Sequence, residues 1–292
     1  MFLQQLINGL MLGSVYALVA LGYTMVYGVL KFINFAHGDI YMWGAFFGLL
    51  LARIPGMNFF VIIILTLGLS AILGVLVERI AYKPLRSAPR LVVTTSALGM
   101  SIVLSNLARL LIGSETYAVP KILNVKAIPL GSNATINTIQ IFILGTSILL
   151  MIWLNWFVNK SRYGKAIRAV SEDKETAGLM GININKVVSV TFAVGSALGG
   201  AAGFLVGMYY DAVYATMGYT AGLKAFTAAI LGGIGSIPGA MIGGIVLGIV
   251  ENFGVVLLSS SYREAITFTV LIIVLLFRPS GLFSANIYDK RA

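Results

Sequence analysis

The sequence predicts an all-α, polytopic membrane protein with about seven transmembrane helices plus a re-entrant pair broken by Gly and Pro. Three observations carry that prediction. The chain of 292 residues is 59% hydrophobic and only 10% charged, with a mean hydropathy of +0.95, far from the balance of a soluble protein. Apolar runs recur along it that match the roughly 20 helical residues needed to cross a hydrocarbon core of about 30 Å. Basic segments separate several of those runs. There is no cysteine and only one histidine, so disulfides and thiolate metal sites are excluded and most transition-metal sites lack ligands. The net charge of +10 finds its explanation in membrane topology, and nucleic acid is not an expected partner.

The first run, 5–30, begins "MFLQQLINGL". It has no positively charged start, so it reads as a true span and not as a signal peptide. Runs at 37–53 and 59–78 precede the basic segment "ERIAYKPLRSAPR" at 78–90, which is followed by a span at 91–112. The segment 113–137 is polar, rich in Asn, Thr, Pro and Gly, and carries only Lys121 and Lys126 as basic residues. Spans at 138–158, 187–210 and 262–278 complete the set, with a second basic segment at 159–186 and the basic tail "RPSGLFSANIYDKRA". Short basic segments stay in the cytoplasm. That rule puts the N-terminus outside, the C-terminus in the cytoplasm and 113–137 in an external loop. The stretch 222–257 must then begin and end outside, as a re-entrant pair of helices would.

Within that stretch Gly232, Gly233, Gly235, Ser236, Pro238 and Gly239 crowd together and break any helix. Non-helical backbone at membrane depth is tolerated where it lines a cavity or is buried in protein, and interrupted segments mark binding sites in transporters. Gly232, Gly233, Gly235 and Ser236 are therefore candidates for a pathway or gate. A kinked helix packed by small residues is the alternative. Gly195, Gly199, Gly203 and Gly207 recur at one-turn spacing and are read as a helix-packing face, as are Gly239 with Gly243 and Gly244 with Gly248.

No constellation for covalent chemistry is present, and no catalytic residue is expected. A P-loop is excluded because Asn159 stands where its first glycine would precede Gly164 and Lys165, and Pro238 ends the only run resembling a dinucleotide fingerprint. Ionisable residues near spans are the remaining signal, since each is costly at the bilayer centre. "KFINFAHGDIYMWGA" supplies Lys31, Asn34, Phe35, His37 and Asp39, and Arg109, Lys224 and Glu251 stand elsewhere. Asn34, Phe35, His37 and Asp39 are candidates for the pathway or gate. Lys31, His37 and Asp39 also suit a membrane boundary, where Lys snorkels and Asp39 sits in a helix first turn. Glu251 is expected at the outer surface.

The polar stretch "SEDKETAGLMGININK" at 171–186 predicts a short capped helix. Ser171 is a good N-cap, Glu172 and Asp173 complement the helix dipole, and Gly181 is a natural stop, giving about nine residues and roughly 13 Å. Ala177 and Gly178 beside Leu179 and Met180 make a shape suited to a groove in another protein; a helix lying on the membrane surface is the alternative.

The run Glu175-Thr176-Ala177-Gly178-Leu179-Met180-Gly181 resembles the E-A-A-x-x-x-G coupling loop of bacterial ABC importer permeases, with Thr176 in place of a small residue. "VLKFINFAHG" at Val29 to Gly38, "RYGKAIRAVSEDKETAGLMGIN" and "AAILGGIGSIPGAMIGG" are similar to LivH-type permease subunits of branched-chain amino acid importers, over essentially the whole chain. The resemblance implies one permease domain in the bacterial inner membrane, with 159–186 as the coupling loop. It implies a second, LivM-type permease as partner, two cytoplasmic P-loop ATPases docked on the coupling helices, and an extracytoplasmic substrate-binding protein. ATP and Mg would be used by the ATPases, with no cofactor bound by this chain. Leucine, isoleucine and valine are the first choice of substrate, with other neutral amino acids, amides or urea as alternatives. A long charged side chain at Ala177 is expected to block docking. Two other classes stay open: an ion-coupled transporter using His37, Asp39 or Glu251, and a channel using the Gly-rich break as its filter.

Overall fold

The computed structural model describes residues 2–86, 88–130 and 134–283. Eleven α-helices hold about three quarters of them. α1 is Phe2–Leu30, α2 His37–Ala52 and α3 Phe59–Val77, the last running on through a π turn at Glu78–Tyr82 and a 3-10 turn at Lys83–Leu85. α4 is Arg90–Leu111; a small antiparallel hairpin, β1 (Ala127–Pro129) and β2 (Thr135–Asn137), follows within the 113–137 segment and leads into α5, Thr138–Lys160. α6 (Arg162–Glu172) and α7 (Lys174–Leu179) lie in the second basic segment. α8 is Ile184–Tyr210, α9 Met217–Gly232, α10 Ile237–Leu257 and α11 Arg263–Phe277. Side-chain caps start several of them: Asn58 accepts from the Val61 N–H, Asn183 from the Lys186 N–H, and Asn137 with Gln140 forms a capping box on α5.

Among the described residues seven helices are long and apolar enough to cross a membrane, but their membership differs from the sequence reading. α10 belongs to the seven, and α2, expected as a span, does not. α2 and α9 each have 16 residues, about 24 Å at 1.5 Å per residue, short of the roughly 30 Å core. The Gly/Pro break falls where it was expected, yet one arm of the supposed re-entrant pair is a full-length helix and the other begins earlier, at Met217. The reason is physical: a Gly/Pro cluster reverses a chain equally well inside a re-entrant loop or between a short helix and a long one, and only packing decides.

The two short helices start together in the interior. A Cβ on Gly38 would stand 2.3 Å from the Gly218 carbonyl oxygen, and one on Gly218 2.5 Å from that of Gly38. From this crossing they diverge. α2 ends near the 113–137 segment, where the Arg53 guanidinium lies 5.4 Å from the Tyr117 ring centroid. α9 ends against the start of the basic tail, where the Leu231 and Gly232 carbonyls accept from the N–H groups of Leu282 and Phe283. The chain enters each by the same device: α1 and α8 end on Lys31 (φ 59°) and Asp211 (φ 50°), the only non-glycine residues of positive φ among those described, and five-residue linkers, 32–36 and 212–216, run back into the bundle. The order long helix, short helix, long helix thus occurs twice, as α1–α3 and α8–α10.

α1 and α8 are mostly buried, while α3, α4, α5 and α11 expose rows of Leu, Ile and Val that suit a hydrocarbon surround. Glycine sets the close contacts. A Cβ on Gly244 would meet the Ala17 backbone at 2.4 Å and one on Gly248 the Gly13 backbone at 2.3 Å, so α10 lies directly along α1. Gly195, Gly199 and Gly203 face Gly22, His37 and the Tyr41 carbonyl, and Gly207 faces Val213, which makes the predicted glycine face the seam between α8 and the α1–α2 unit.

Candidate functional site

The basic segment 159–186 folds as two helices, where its capping residues predict one. Ser171 lies in the last turn of α6, its hydroxyl donating to the Arg168 carbonyl at 2.7 Å, and Glu172 is the last residue of that helix. Asp173 is the cap of α7. Its carboxylate accepts from the N–H groups of Glu175 (2.9 Å) and Thr176 (3.2 Å) and from the Thr176 hydroxyl (2.6 Å). Asp173 wins over Ser171 because its charged side chain takes three donors at once. Those bonds favour the ionised form, so its carboxyl is held below the usual range, the Thr176 hydroxyl contributing most. Lys174, next along, is half-buried. Desolvation first, and then the nearby charges of Arg86, Lys31 and Arg90, lower its pKa.

Gly181, at φ +81°, stops α7 as expected, with the Ile182 N–H on the Ala177 carbonyl and the Gly181 N–H on that of Gly178, the paired bonds of a Schellman end. The small residues, however, do not form the exposed surface. Ala177 is buried against the body of the protein, and a Cβ on half-buried Gly178 would touch the Ile184 side chain at 3.4 Å. They let α7 lie flush on the start of α8. A long side chain at Ala177 would therefore disrupt α7 itself, a correction to the expected blocking of docking. What remains uncovered is Leu179 and Met180, 89% and 79% exposed.

Behind α7, Glu78 is fully buried in the π turn after α3. It is ion-paired with Arg86 and accepts from the Ser189 hydroxyl at 2.9 Å, while Arg86 also bonds the Asn185 side chain. These bonds couple the end of α3 to the first turns of α8, beside the surface helix.

The predicted pathway residues fall in two separate places. Asn34, His37 and Asp39 are buried where the 32–36 linker enters α2. The Asn34 side-chain oxygen accepts from the Tyr82 hydroxyl. The His37 ring fills the space left by two glycines, since a Cβ on Gly22 would stand 2.2 Å from its Nε2 and one on Gly199 3.1 Å away. Its nitrogens have no hydrogen-bond partner among the described residues, and half-buried Phe35 lies against Phe226. Of the three residues expected at a membrane boundary only Lys31 is exposed, because the linker carries His37 and Asp39 back inside. Gly232, Gly233, Gly235 and Ser236 sit at the turn between α9 and α10. Protein groups take much of the turn's backbone: the Gly233 N–H donates to the Ile230 carbonyl, the Ser236 N–H to that of Gly233, the Leu231 and Gly232 carbonyls accept from the N–H groups of Leu282 and Phe283 at 2.9 and 3.1 Å, and Ser236 caps α10 by accepting from the Gly239 N–H.

A third feature escaped the sequence reading. A cavity of about 560 Å³ opens between α1, α2, α8, α9 and α11, lined by Tyr16, Tyr41, Tyr210, Lys224, Arg263 and Glu264 together with apolar side chains. Glu251, expected at the outer surface, lies wholly buried at its wall. One of its carboxylate oxygens accepts from Lys224 Nζ at 3.0 Å and Arg263 at 3.2 Å, the other from the Thr267 hydroxyl at 2.9 Å, and the Tyr16 hydroxyl lies 3.1 Å from both. Two positive charges thus surround one negative. Lys224 and Glu251 are legible as opposite charges in neighbouring apolar stretches; Tyr16, far away in sequence, and Arg263, at a helix start, carry no such signal.

A multi-pass helical bundle with interrupted internal helices, a polar-walled cavity and a capped surface helix offering bare apolar residues defines a membrane transport permease. A family described as "Branched-chain amino acid transport system / permease component" matches residues 5–275, and the chain belongs to this family. It is 44% identical over 301 residues to the high-affinity branched-chain amino acid transport system permease protein BraD of Pseudomonas aeruginosa, covering 99% of this chain and 98% of that one. It is 43% identical to the corresponding LivH permease proteins of Salmonella typhimurium and Escherichia coli, in each case over 99% of this chain and 97% of the relative. PsaBC from Streptococcus pneumoniae in complex with Fab aligns with a TM-score of 0.46 and 15% identity over 94% of this chain and 91% of that one, too remote to carry an inference. As a family of transport permease subunits, these proteins are not enzymes.

Proposed function

We propose that this chain is a permease subunit of an ATP-driven importer that passes leucine, isoleucine and valine across the bacterial inner membrane, its N-terminus outside and its C-terminus in the cytoplasm. It works beside a second, LivM-type permease. Two cytoplasmic ATPases bind ATP and Mg and dock on the coupling helices of the permease pair, α7 in this chain, and a binding protein outside delivers the amino acid. One observation carries the reading: α7 is tightly capped, is seated on α8 by small residues, and presents Leu179 and Met180 bare to solvent. A short helix held this firmly and left this apolar fits a groove in a partner. Motion of that partner would reach the bundle through α8 and the Glu78–Arg86 pair.

The test is to purify the tagged chain from its host in mild detergent, identify its companions and reconstitute them in vesicles. Co-purification of two P-loop ATPases and a second permease, with leucine uptake that requires ATP and the binding protein, is the expected result. Uptake by the chain alone that persists without ATP and collapses with a protonophore would overturn the proposal and make His37 and Asp39 coupling groups. Uptake of urea or amides in preference to leucine would leave the importer and replace its substrate.

A further inference from the structure

We infer that the cavity between α1, α2, α8, α9 and α11 is a binding station for a free zwitterionic amino acid, whose α-carboxylate is held by Lys224 and Arg263. The inference rests on the proposed reading of the chain as an amino-acid permease, and it assigns the substrate a place within it.

Charge is the first argument. Glu251 is fully buried and takes donors from Lys224, Arg263, Tyr16 and Thr267, so its acceptor capacity is filled within the wall. Lys224 and Arg263 are balanced overall by Glu251 and Glu264, but Glu264 stands on the exposed rim and pairs with neither cation among the described residues, so the inner wall is locally positive and suits a ligand carboxylate. Donor count is the second. A lysine ammonium has three N–H groups and a guanidinium five; Lys224 and Arg263 each give one to Glu251, and Arg263 also engages the Tyr210 hydroxyl, which leaves donors on both for a ligand. Both side chains line the cavity, and Lys224 is 8% exposed. Donors pre-fixed by a buried anion need little further ordering to accept a ligand.

The remaining walls suit the rest of the molecule. Leu12, Val206 and Met217 supply an apolar face for an aliphatic side chain. Tyr41 and Tyr210 present rings, and Glu264 on the exposed rim provides a negative charge for the ammonium group. The volume, about 560 Å³, lies in the roughly 300–1,000 Å³ range of small-molecule sites. Urea and simple amides carry no carboxylate for Lys224 and Arg263 and no ammonium for Glu264, so the cavity favours amino acids over them.

The absence of cysteine gives a direct test. Thr220→Cys places a single thiol of this chain in the cavity wall. The transporter, assembled with its partner subunits but without binding protein, is treated with a thiol reagent, and modification of this chain is followed by mass. L-leucine at about ten times its dissociation constant is expected to slow modification about tenfold. Leucinol, which has the same side chain and ammonium but no carboxylate, is expected to leave the rate unchanged. Lys224→Met should abolish the protection and Lys224→Arg should keep it. Labelling unaffected by leucine, in a complex whose wild-type form imports leucine with ATP, overturns the inference and leaves the importer reading intact. Equal protection by leucinol overturns the role of the carboxylate. A wild-type complex that binds ATPases but imports no amino acid would count against the permease reading instead.

Discussion

Replacing Leu179 by Ser separates the stability of this chain from its docking. At 89% exposed, Leu179 loses almost no buried surface in the isolated chain, so the substitution should shift stability by no more than about 0.5 kcal/mol. Full burial of a leucine side chain stabilises by about 1.5–3 kcal/mol. With 89% of its surface still available, burial in a partner groove is worth about 1.3–2.7 kcal/mol. At 1.4 kcal/mol per factor of ten, Leu179→Ser should weaken ATPase association about 10- to 100-fold. Met180→Ser should act similarly, because Met180 is 79% exposed. The assay is titration of purified ATPase onto the detergent-solubilised permease, alongside thermal unfolding of the permease alone. Unchanged ATPase affinity in the Leu179→Ser, Met180→Ser double variant would refute the docking argument. A large fall in the unfolding temperature would show that these residues serve the fold instead.

Three further outcomes follow from the packing. Gly44→Ala would drive a methyl to 2.1 Å from the Gly200 Cα and should cost about 1–3 kcal/mol, whereas Gly145→Ala, with open space around it, should be neutral or gain up to about 1 kcal/mol of helix propensity; thermal unfolding in detergent ranks them, and equal stability would sink the close-approach argument. Glu251→Ala leaves a buried lysine without its anion and should destabilise by about 3–5 kcal/mol, while Thr267→Val, which removes one hydroxyl donor, should cost about 1 kcal/mol; the reverse order would show that Glu251 is not the hub of the cluster. The Asp173 carboxyl, held below its usual pKa by the cap, stabilises α7 at and above the ordinary carboxylate range and loses that contribution as pH falls through its lower folded value; hydrogen exchange of α7 amides should therefore lose protection only in strong acid, and Asp173→Ala should show that loss at neutral pH.

The sequence by itself determined that the chain is a helical membrane protein, because about 20 apolar residues leave a bilayer-crossing backbone no alternative to a helix. It also located the polar surface helix, the Gly181 stop and the glycine face of α8, each written in a local pattern of a few residues. Family membership was legible in the same way, through short runs such as Val29 to Gly38. Packing alone decided the rest. Whether Ala177 or Leu179 faces a partner depends on which side of α7 lies on α8. Two short interior helices meeting at Gly38 and Gly218 follow from linkers that turn back at Lys31, a residue type that rarely takes positive φ, and at Asp211, one that takes it more often but seldom signals it alone. The cavity follows last of all. Tyr16, Lys224, Glu251 and Arg263 stand on four helices, and no periodicity along the chain records that their side chains share one buried carboxylate, because that proximity exists only after the helices pack.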